Sequence, residues 1–191
     1  MDAASAEKCC DCWEHISEKE GKDVLSRANE WAKKQQDGKI PYKMDASLDP
    51  TLDSPPHMDC SYFVQKALGK QHLPDHFNPK LPQRISTRVL DGTCRFRRLR
   101  SNEKPRAGDV LAQPRDFDVP GSQHVGIATG QAGSKGGHVG IAMSKGRNSA
   151  GNTAPSVWGL DIDDGGNFDH ADQMKVYRPQ KPKPNCSPAT P

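Results

Sequence analysis

The sequence predicts an α+β domain in which helices come first and an antiparallel sheet follows. Two segments before residue 70 carry apolar residues at helical spacing. After residue 106 the pattern changes to short apolar runs between glycine-rich turns, which indicates successive antiparallel strands. The length of 191 residues suits one ordinary domain, so we expect a single active or binding site. Helices followed by strands are typical of the α+β class.

The first predicted helix covers residues 22–36. Its apolar residues, among them Val24 and Trp31, recur on one face, which predicts an amphipathic helix lying on a core. Gly38 follows it and suits the left-handed conformation in which many helices end. The proline-containing residues 43–58 are predicted to form a loop.

The second predicted helix covers residues 59–69. Phe63 and Leu68 fall on one face of it, and Gly69 closes it. Cys60 therefore lies at the very start of a buried helix.

The second half of the sequence predicts a sheet. Its apolar runs cover residues 109–113, 124–130, 138–144, 156–162 and 174–179. The second and third runs, HVGIATG and HVGIAMS, are nearly identical and are predicted to pair as a hairpin. The predicted domain spans residues 22–179, between an N-terminal extension at 1–21 and a proline-rich mobile tail at 180–191.

Charge and hydropathy exclude several classes of partner. The 27 basic and 24 acidic residues give a net charge of +3, which is too mild for a nucleic-acid-binding protein. The basic run 94–100, CRFRRLR, is either a stripe for an anionic partner or a solvated strand or loop. No stretch approaches the roughly 20 apolar residues of a membrane span. Because the first residues lack the pattern of a signal peptide, we expect the chain to be made in the cytoplasm without an export signal.

The cysteines do not form the pattern of a disulfide-rich mini-domain or of a zinc site. No second CxxC or HxxxH pair lies at a distance from the CCDC cluster, so no metal is expected. The cysteines of the CCDC cluster are interpreted as surface thiols, which an oxidising compartment would oxidise. The sequence does not fix the pairing of the cysteines. The six are Cys9, Cys10, Cys12, Cys60, Cys94 and Cys186.

The position of Cys60 suits nucleophilic chemistry. A thiol attacks as its thiolate, and a helix N-terminus favours that negative charge. A nearby histidine would accept and return the proton. The alternative is that Cys60 is a small, inert, buried residue, since cysteines outside disulfides are commonly buried.

Several motifs in order resemble the NlpC-type family of papain-like cysteine peptidases. ANEWAKKQQDGKIPY, a loop and MDCSYFVQKALG are similar to the helix, the P-Y pair and the D-C-S-G-F-V helix of that family. PRAGDVLAQ and SQHVGIATG are similar to its P-G-D strand and its H-V-G-I strand, so the resemblance covers roughly residues 22–179. It implies a papain-like fold of the NlpC or CHAP type, in which the nucleophile helix lies on a five- or six-stranded antiparallel sheet. It also implies chemistry without a metal or an organic cofactor.

The resemblance assigns Cys60 as the nucleophile and leaves two choices for the base. In the first, His124 is the base and His138 orients it. In the second, His138 is the base, and Asn148 or Asn152 orients it. The first is preferred, because His124 follows the G-D strand at about the usual interval.

Other residues match the substrate or oxyanion side of such a site. Tyr42 corresponds to the tyrosine of the P-Y pair, and Asp59 caps the nucleophile helix. Ser61 belongs to the same motif, and the backbone amide of Cys60 is expected to face the oxyanion. Tyr62 replaces the usual glycine, which predicts a bulkier rim beside Cys60.

The resemblance implies hydrolysis of the stem peptides of peptidoglycan, most often between D-glutamate and diaminopimelate. Without an export signal, the chain resembles the amidase effectors that bacteria inject into the periplasm of rivals through type VI secretion systems. Such a toxin implies a cognate immunity protein and secretion machinery as partners. The alternatives are a phage endolysin of the CHAP type, a cysteine acyltransferase or deamidase, and a non-catalytic wall-binding module on the same scaffold.

Overall fold

The chain folds as an α+β protein, which confirms the predicted class. The computed structural model describes residues 12–41, 43, 52, 54–69, 90, 94–100, 102–113, 124–128, 130, 137–139, 160–161 and 175–184. The helices in this part are α1 (Glu18–Gln36) and α2 (Cys60–Leu68). The strands are β1 (Trp13–His15), β2 (Phe96–Arg98), β3 (Val110–Gln113), β4 (His124–Ala128), β5 (Gly137–Val139), β6 (Leu160–Asp161) and β7 (Lys175–Pro182).

The strands form one antiparallel sheet, in the order β1-β7-β3-β4-β5-β6, with β2 also paired to β7. Strand β7 is thus the hub, because β1, β2 and β3 all pair with it. The two H-V-G-I copies pair antiparallel as predicted, with Ile127 opposite Val139 and Ala128 opposite His138. The described part of the sheet has seven strands, against the five or six expected.

Helix α1 begins four residues before its predicted start, because a capping box lies there. The backbone amide of Glu20 donates to Ser17 Oγ at 3.2 Å, and the backbone amide of Ser17 donates to Glu20 Oε2 at 2.7 Å. Gly21 follows in the first turns of the helix. A Cβ atom there would clash with the Ala107 carbonyl oxygen, so glycine lets α1 touch the turn before β3.

Both helices lie on the same core as one face of the sheet. Val110 and Tyr177 are neighbours across β3 and β7, and Val110 also faces Ile127 of β4. All three are fully buried and share a cluster with residues of both helices. The helical members of this cluster are Val24, Ala28, Ala32, Tyr62, Phe63, Val64, Ala67 and Leu68.

The two ends of the described chain meet at one edge of the sheet. Strand β1 pairs with the last part of β7, so that Trp13 lies opposite Pro182 and His15 opposite Gln180. The sheet therefore includes residues from the predicted extension and from the start of the predicted tail. Neither α1 nor α2 combines the length and the apolar character that a bilayer-crossing helix requires.

Candidate active site around Cys60

Cys60 is the first residue of α2, as predicted from its position in the sequence. It is partly buried and packs against the core cluster. Its sulfur is outside any disulfide, whereas Cys12 and Cys94 are both bonded in disulfides. Within the described ranges, the candidate nucleophile is therefore the cysteine that keeps a reduced thiol.

Asp59 caps the helix that carries the thiol. Its Oδ1 atom accepts a hydrogen bond from the Tyr62 backbone amide at 2.8 Å and another from Ser61 Oγ at 2.8 Å. The Asp59 residue is only 5% exposed, so these bonds replace the water that its carboxylate would otherwise bind. The cap fixes the backbone on both sides of Cys60, which is the residue at the positive end of the α2 dipole.

The chain that follows α1 runs beside the residue that precedes this cap. The backbone amide of Met58 donates to the Pro41 carbonyl, and the Lys43 amide donates to the Met58 carbonyl, both at 3.1 Å. This bridge holds the chain after α1 against Met58, which is two residues before Cys60 in the sequence. Tyr42, which was predicted to stand near the nucleophile, lies outside the described residues.

Tyr62 occupies a different place from the predicted rim. It is 0% exposed, and its hydroxyl donates to the Leu52 carbonyl at 3.2 Å. Lys66 Nζ donates to the same carbonyl and lies 5.4 Å from the centre of the Tyr62 ring. The aromatic ring is inside the core and its hydroxyl anchors the loop before Cys60. The phenol is buried there because its hydroxyl finds a backbone acceptor.

The sheet register places the two candidate histidines at separate points. His124 begins β4 opposite Gln113, and His138 of β5 lies opposite Ala128. Position 138 is therefore beside residue 128 of β4, four residues from position 124, which corresponds to about 13 Å along the strand direction. Val125 and Ile127, which alternate with positions 124, 126 and 128, belong to the core shared with the helices. Asn148 and Asn152 lie outside the described residues.

The basic run 94–100 forms β2 and the turns beside it, and two of its arginines make intramolecular contacts. Arg97 forms a two-point ion pair with Glu103, and its Nε donates to His15 Nε2 at 3.0 Å. The hydrogen bonds from Arg97 lower the pKa of Glu103 to about 2. Arg95 lies 5.6 Å from the centre of the Trp13 ring. Because Phe96 is buried in the core and these arginines contact neighbouring side chains, neither predicted alternative, a continuous cationic stripe or a solvated strand, describes the whole run.

A buried ion pair close to this run was not anticipated from the sequence. Two guanidinium nitrogens of Arg178, Nε and Nη2, donate to Asp109, at 3.1 and 2.9 Å. Asp109 is 1% exposed and also accepts from the Arg106 backbone amide at 3.0 Å. The G-D motif therefore joins the start of β3 to β7, which is a structural role.

The described residues offer no ready-made metal centre. No group of three or more histidine, cysteine, aspartate or glutamate side chains in that part of the chain is close enough to hold an ion. A comparison with known proteins found no matching family model, no matching curated protein and no matching solved structure. The resemblance to NlpC-type peptidases thus depends on the quoted motifs alone.

Proposed function

We propose that this protein is a cysteine peptidase or amidase that hydrolyses stem peptides of peptidoglycan, with Cys60 as its nucleophile. The observation that carries the proposal is the state of the cysteines. Cys12 and Cys94 are bonded in disulfides, while Cys60 keeps a reduced thiol at the capped start of a buried helix. A helix start is where a thiol gains most from the backbone dipole.

The reaction proceeds in two acyl-transfer steps. The Cys60 thiolate attacks the carbonyl carbon of the scissile amide, a C–S bond forms, and the carbonyl oxygen becomes an oxyanion. The protonated histidine gives its proton to the leaving nitrogen as the C–N bond breaks. Water then attacks the thioester, the histidine takes the proton from water, and the C–S bond breaks to restore the thiolate. Backbone amides at the start of α2 are suited to receive the oxyanion.

His124 remains the preferred base in this proposal, with His138 as the alternative. The separation of the two positions along the sheet favours one histidine acting with Cys60 over a directly hydrogen-bonded pair of histidines. The residue that orients the base is then a group other than the second histidine. Asn148 or Asn152 fills that role if His138 is the base.

The substrate, the papain-like type of fold and the site of action come from the resemblance of the motifs. The peptide bond between D-glutamate and diaminopimelate is the proposed target, and no nucleic acid partner is expected. Disulfides at Cys12 and Cys94 are compatible with work in an oxidising compartment such as the periplasm of a target bacterium. A secreted antibacterial effector with a cognate immunity protein fits these features.

The proposal is tested by incubating purified sacculi with the oxidised, folded protein and identifying the released muropeptides by mass spectrometry. Wild type is compared with Cys60→Ala, His124→Ala and His138→Ala. Lys33→Ala, which truncates an exposed side chain of α1, serves as the control for effects of substitution and purification. We expect wild type to release cut stem peptides. Cys60→Ala should lose at least about 1,000-fold in rate, because alanine has no group that can attack the carbonyl carbon.

The histidine variants then identify the base. Loss of activity in His124→Ala with activity retained in His138→Ala supports the preferred assignment, and the reverse result moves the role to His138. Intact sacculi with wild type would overturn the cell-wall assignment. In that case, thiol labelling with acyl donors and deamidation assays on protein substrates test the acyltransferase and deamidase alternatives.

A further inference from the structure

Arg27 of α1 contacts the end of α2 that is farthest from Cys60. Its Nε donates to the Ala67 carbonyl at 2.8 Å, and its Nη2 donates to the Leu68 carbonyl at 3.0 Å. The last carbonyls of any helix lack partners within the helix. A single guanidinium fork therefore satisfies two of them, and it places a positive charge at the negative end of the α2 dipole.

The two helices run in opposite directions, so Arg27 and Cys60 mark opposite ends of α2. Arg27 contacts the last two residues of α2, while Trp31, one turn further along α1, lies 5.7 Å from Lys66 Nζ. The chain that leaves α1 then reaches Met58, just before α2 begins. Successive points along α1 therefore meet successive points along α2 in reverse order.

The fit around the Arg27 guanidinium is close. Gly69, which ends α2, has a φ of +76°, and a Cβ atom at this residue would lie 3.2 Å from Arg27 Nε. Burial lowers the pKa of Arg27, while the nearby carboxylates of Asp23 and Glu30 raise it. The guanidinium is therefore held in a confined, partly desolvated place, and both of its hydrogen bonds go to the last two residues of α2.

We propose that Arg27 is a positioning residue that fixes α2 along its axis and so sets where the Cys60 thiol stands. This inference rests on the proposed role of Cys60 as the nucleophile. A helix displaced by one residue moves by about 1.5 Å along its axis. Misplacement of a reacting atom by about 1 Å costs on the order of 100-fold in rate, so an anchor at the far end of a short helix matters for chemistry.

The test compares Arg27→Met, which removes both hydrogen bonds and the charge, with Arg27→Lys, which keeps the charge but loses the planar fork. Lys22→Met is the matched control, because it removes an exposed positive charge from the same helix. Three quantities are measured well below each variant's thermal unfolding midpoint: kcat and KM on muropeptides, and the pH midpoint of Cys60 alkylation by iodoacetamide, followed on the Cys60 peptide by mass spectrometry.

We expect Arg27→Met to lower kcat at least 10-fold, with KM changed less than about twofold. We expect its alkylation midpoint to rise by about half a pH unit, because a positive charge along the axis of α2 is lost. Arg27→Lys should restore the alkylation midpoint but recover only part of kcat. Lys22→Met should resemble wild type in all three quantities.

The inference is overturned if folded Arg27→Met keeps the wild-type kcat and alkylation midpoint, even when its unfolding midpoint falls. If Arg27→Met does not fold, Arg27→Lys decides: a wild-type kcat in that variant contradicts a need for the two-point fork. If the wild-type protein cuts no muropeptide, the proposed function fails. The alkylation midpoints then still decide whether Arg27 acts on Cys60, since an unchanged midpoint in Arg27→Met rules that out.

Discussion

The start of α2 and the surroundings of the hub strand β7 use cysteine in opposite ways. At the start of α2, Cys60 is a reduced thiol held by hydrogen bonds of Asp59 and by apolar packing. Beside β7, Cys12 precedes β1 and Cys94 precedes β2, and both are in disulfides. The same amino acid is thus kept reduced in one region and used as a cross-link in the other.

The difference follows from how each region is stabilised. Helix α2 buries most of its residues and is hydrogen-bonded at both ends by Asp59 and Arg27, so it is held in place without a covalent cross-link. Strands β1 and β2 have three residues each and, apart from the buried Phe96, leave their residues partly exposed, so they depend on β7, on disulfides and on ion pairs. A candidate nucleophile can therefore stay outside the cross-links because its helix needs none.

Reduction of the disulfides should have one of the two largest effects on stability. Loss of a native disulfide costs about 2–5 kcal/mol, so Cys12→Ser or Cys94→Ser should lower the thermal unfolding midpoint by about 10 °C. Calorimetry with and without reductant measures this. Cys60→Ser, the control, should unfold within about 2 °C of wild type. An equal loss in Cys60→Ser would contradict the contrast between the two regions.

Breaking the buried ion pair beside β7 should have an effect of similar size. Asp109→Asn leaves the Arg178 guanidinium buried without its charge partner, which costs about 3–5 kcal/mol in the free energy of unfolding. Urea titration measures the loss. The control is Lys39→Met, which breaks an exposed pair with Asp37 and should cost less than about 1 kcal/mol. Similar losses in the two variants would show that burial of the pair is not the cause.

Removal of the α2 cap should have a smaller effect. Asp59→Ala deprives the Tyr62 amide of its acceptor and should cost about 1–2 kcal/mol in the free energy of unfolding. Asp59→Asn keeps an acceptor oxygen and should cost only a small fraction of that. Urea titration of both variants distinguishes a lost hydrogen bond from a lost charge. Equal destabilisation by the two would point to the charge.

The smallest effect concerns Glu20, which joins α1 to β7 through Lys181 at 3.0 Å. Burial raises the pKa of Glu20, but hydrogen bonds from Ser17 and Lys181 outweigh this effect and lower the pKa from 4.5 to about 2. Because the folded pKa is depressed, the stabilisation is complete above pH 4.5 and is lost as the pH falls towards 2. Glu20→Gln should therefore cost about 1 kcal/mol at pH 7 and almost nothing near pH 2. A pH-independent loss, seen by urea titration at several pH values, would contradict this linkage.

Local signals in the sequence predicted the helices better than the strands that flank β7. Asp59 and Gly69 delimit α2 by themselves, so its bounds were predicted within one residue. The start of α1 was missed because its first turn has no apolar residue, although Ser17 and Glu20 form a capping box that the sequence displays. Three-residue strands such as β1 and β2 carry too little alternation to be seen, and their pairing is decided by β7, far away in the sequence.

The candidate site, like the fold, was predictable from the sequence only in part. The helix start identifies Cys60, because the chemistry depends on local position. The choice between His124 and His138 depends on the register between β4 and β5, and no local residue pattern fixes the register of a hairpin whose loop is long. The buried place of Tyr62 likewise depends on the Leu52 carbonyl, which only the folded loop supplies.

The pairing of β1 with the end of β7 also imposes an order on synthesis. His15 and Gln180 lie opposite each other in the sheet but are 165 residues apart in the chain. A ribosome makes β1 long before β7 exists, so the hub of the sheet emerges after all the other strands in the described part of the chain. Contacts this distant form slowly, because a long loop must close first. A chain threaded unfolded through a narrow channel would therefore regain α1 and α2 early and complete its sheet last.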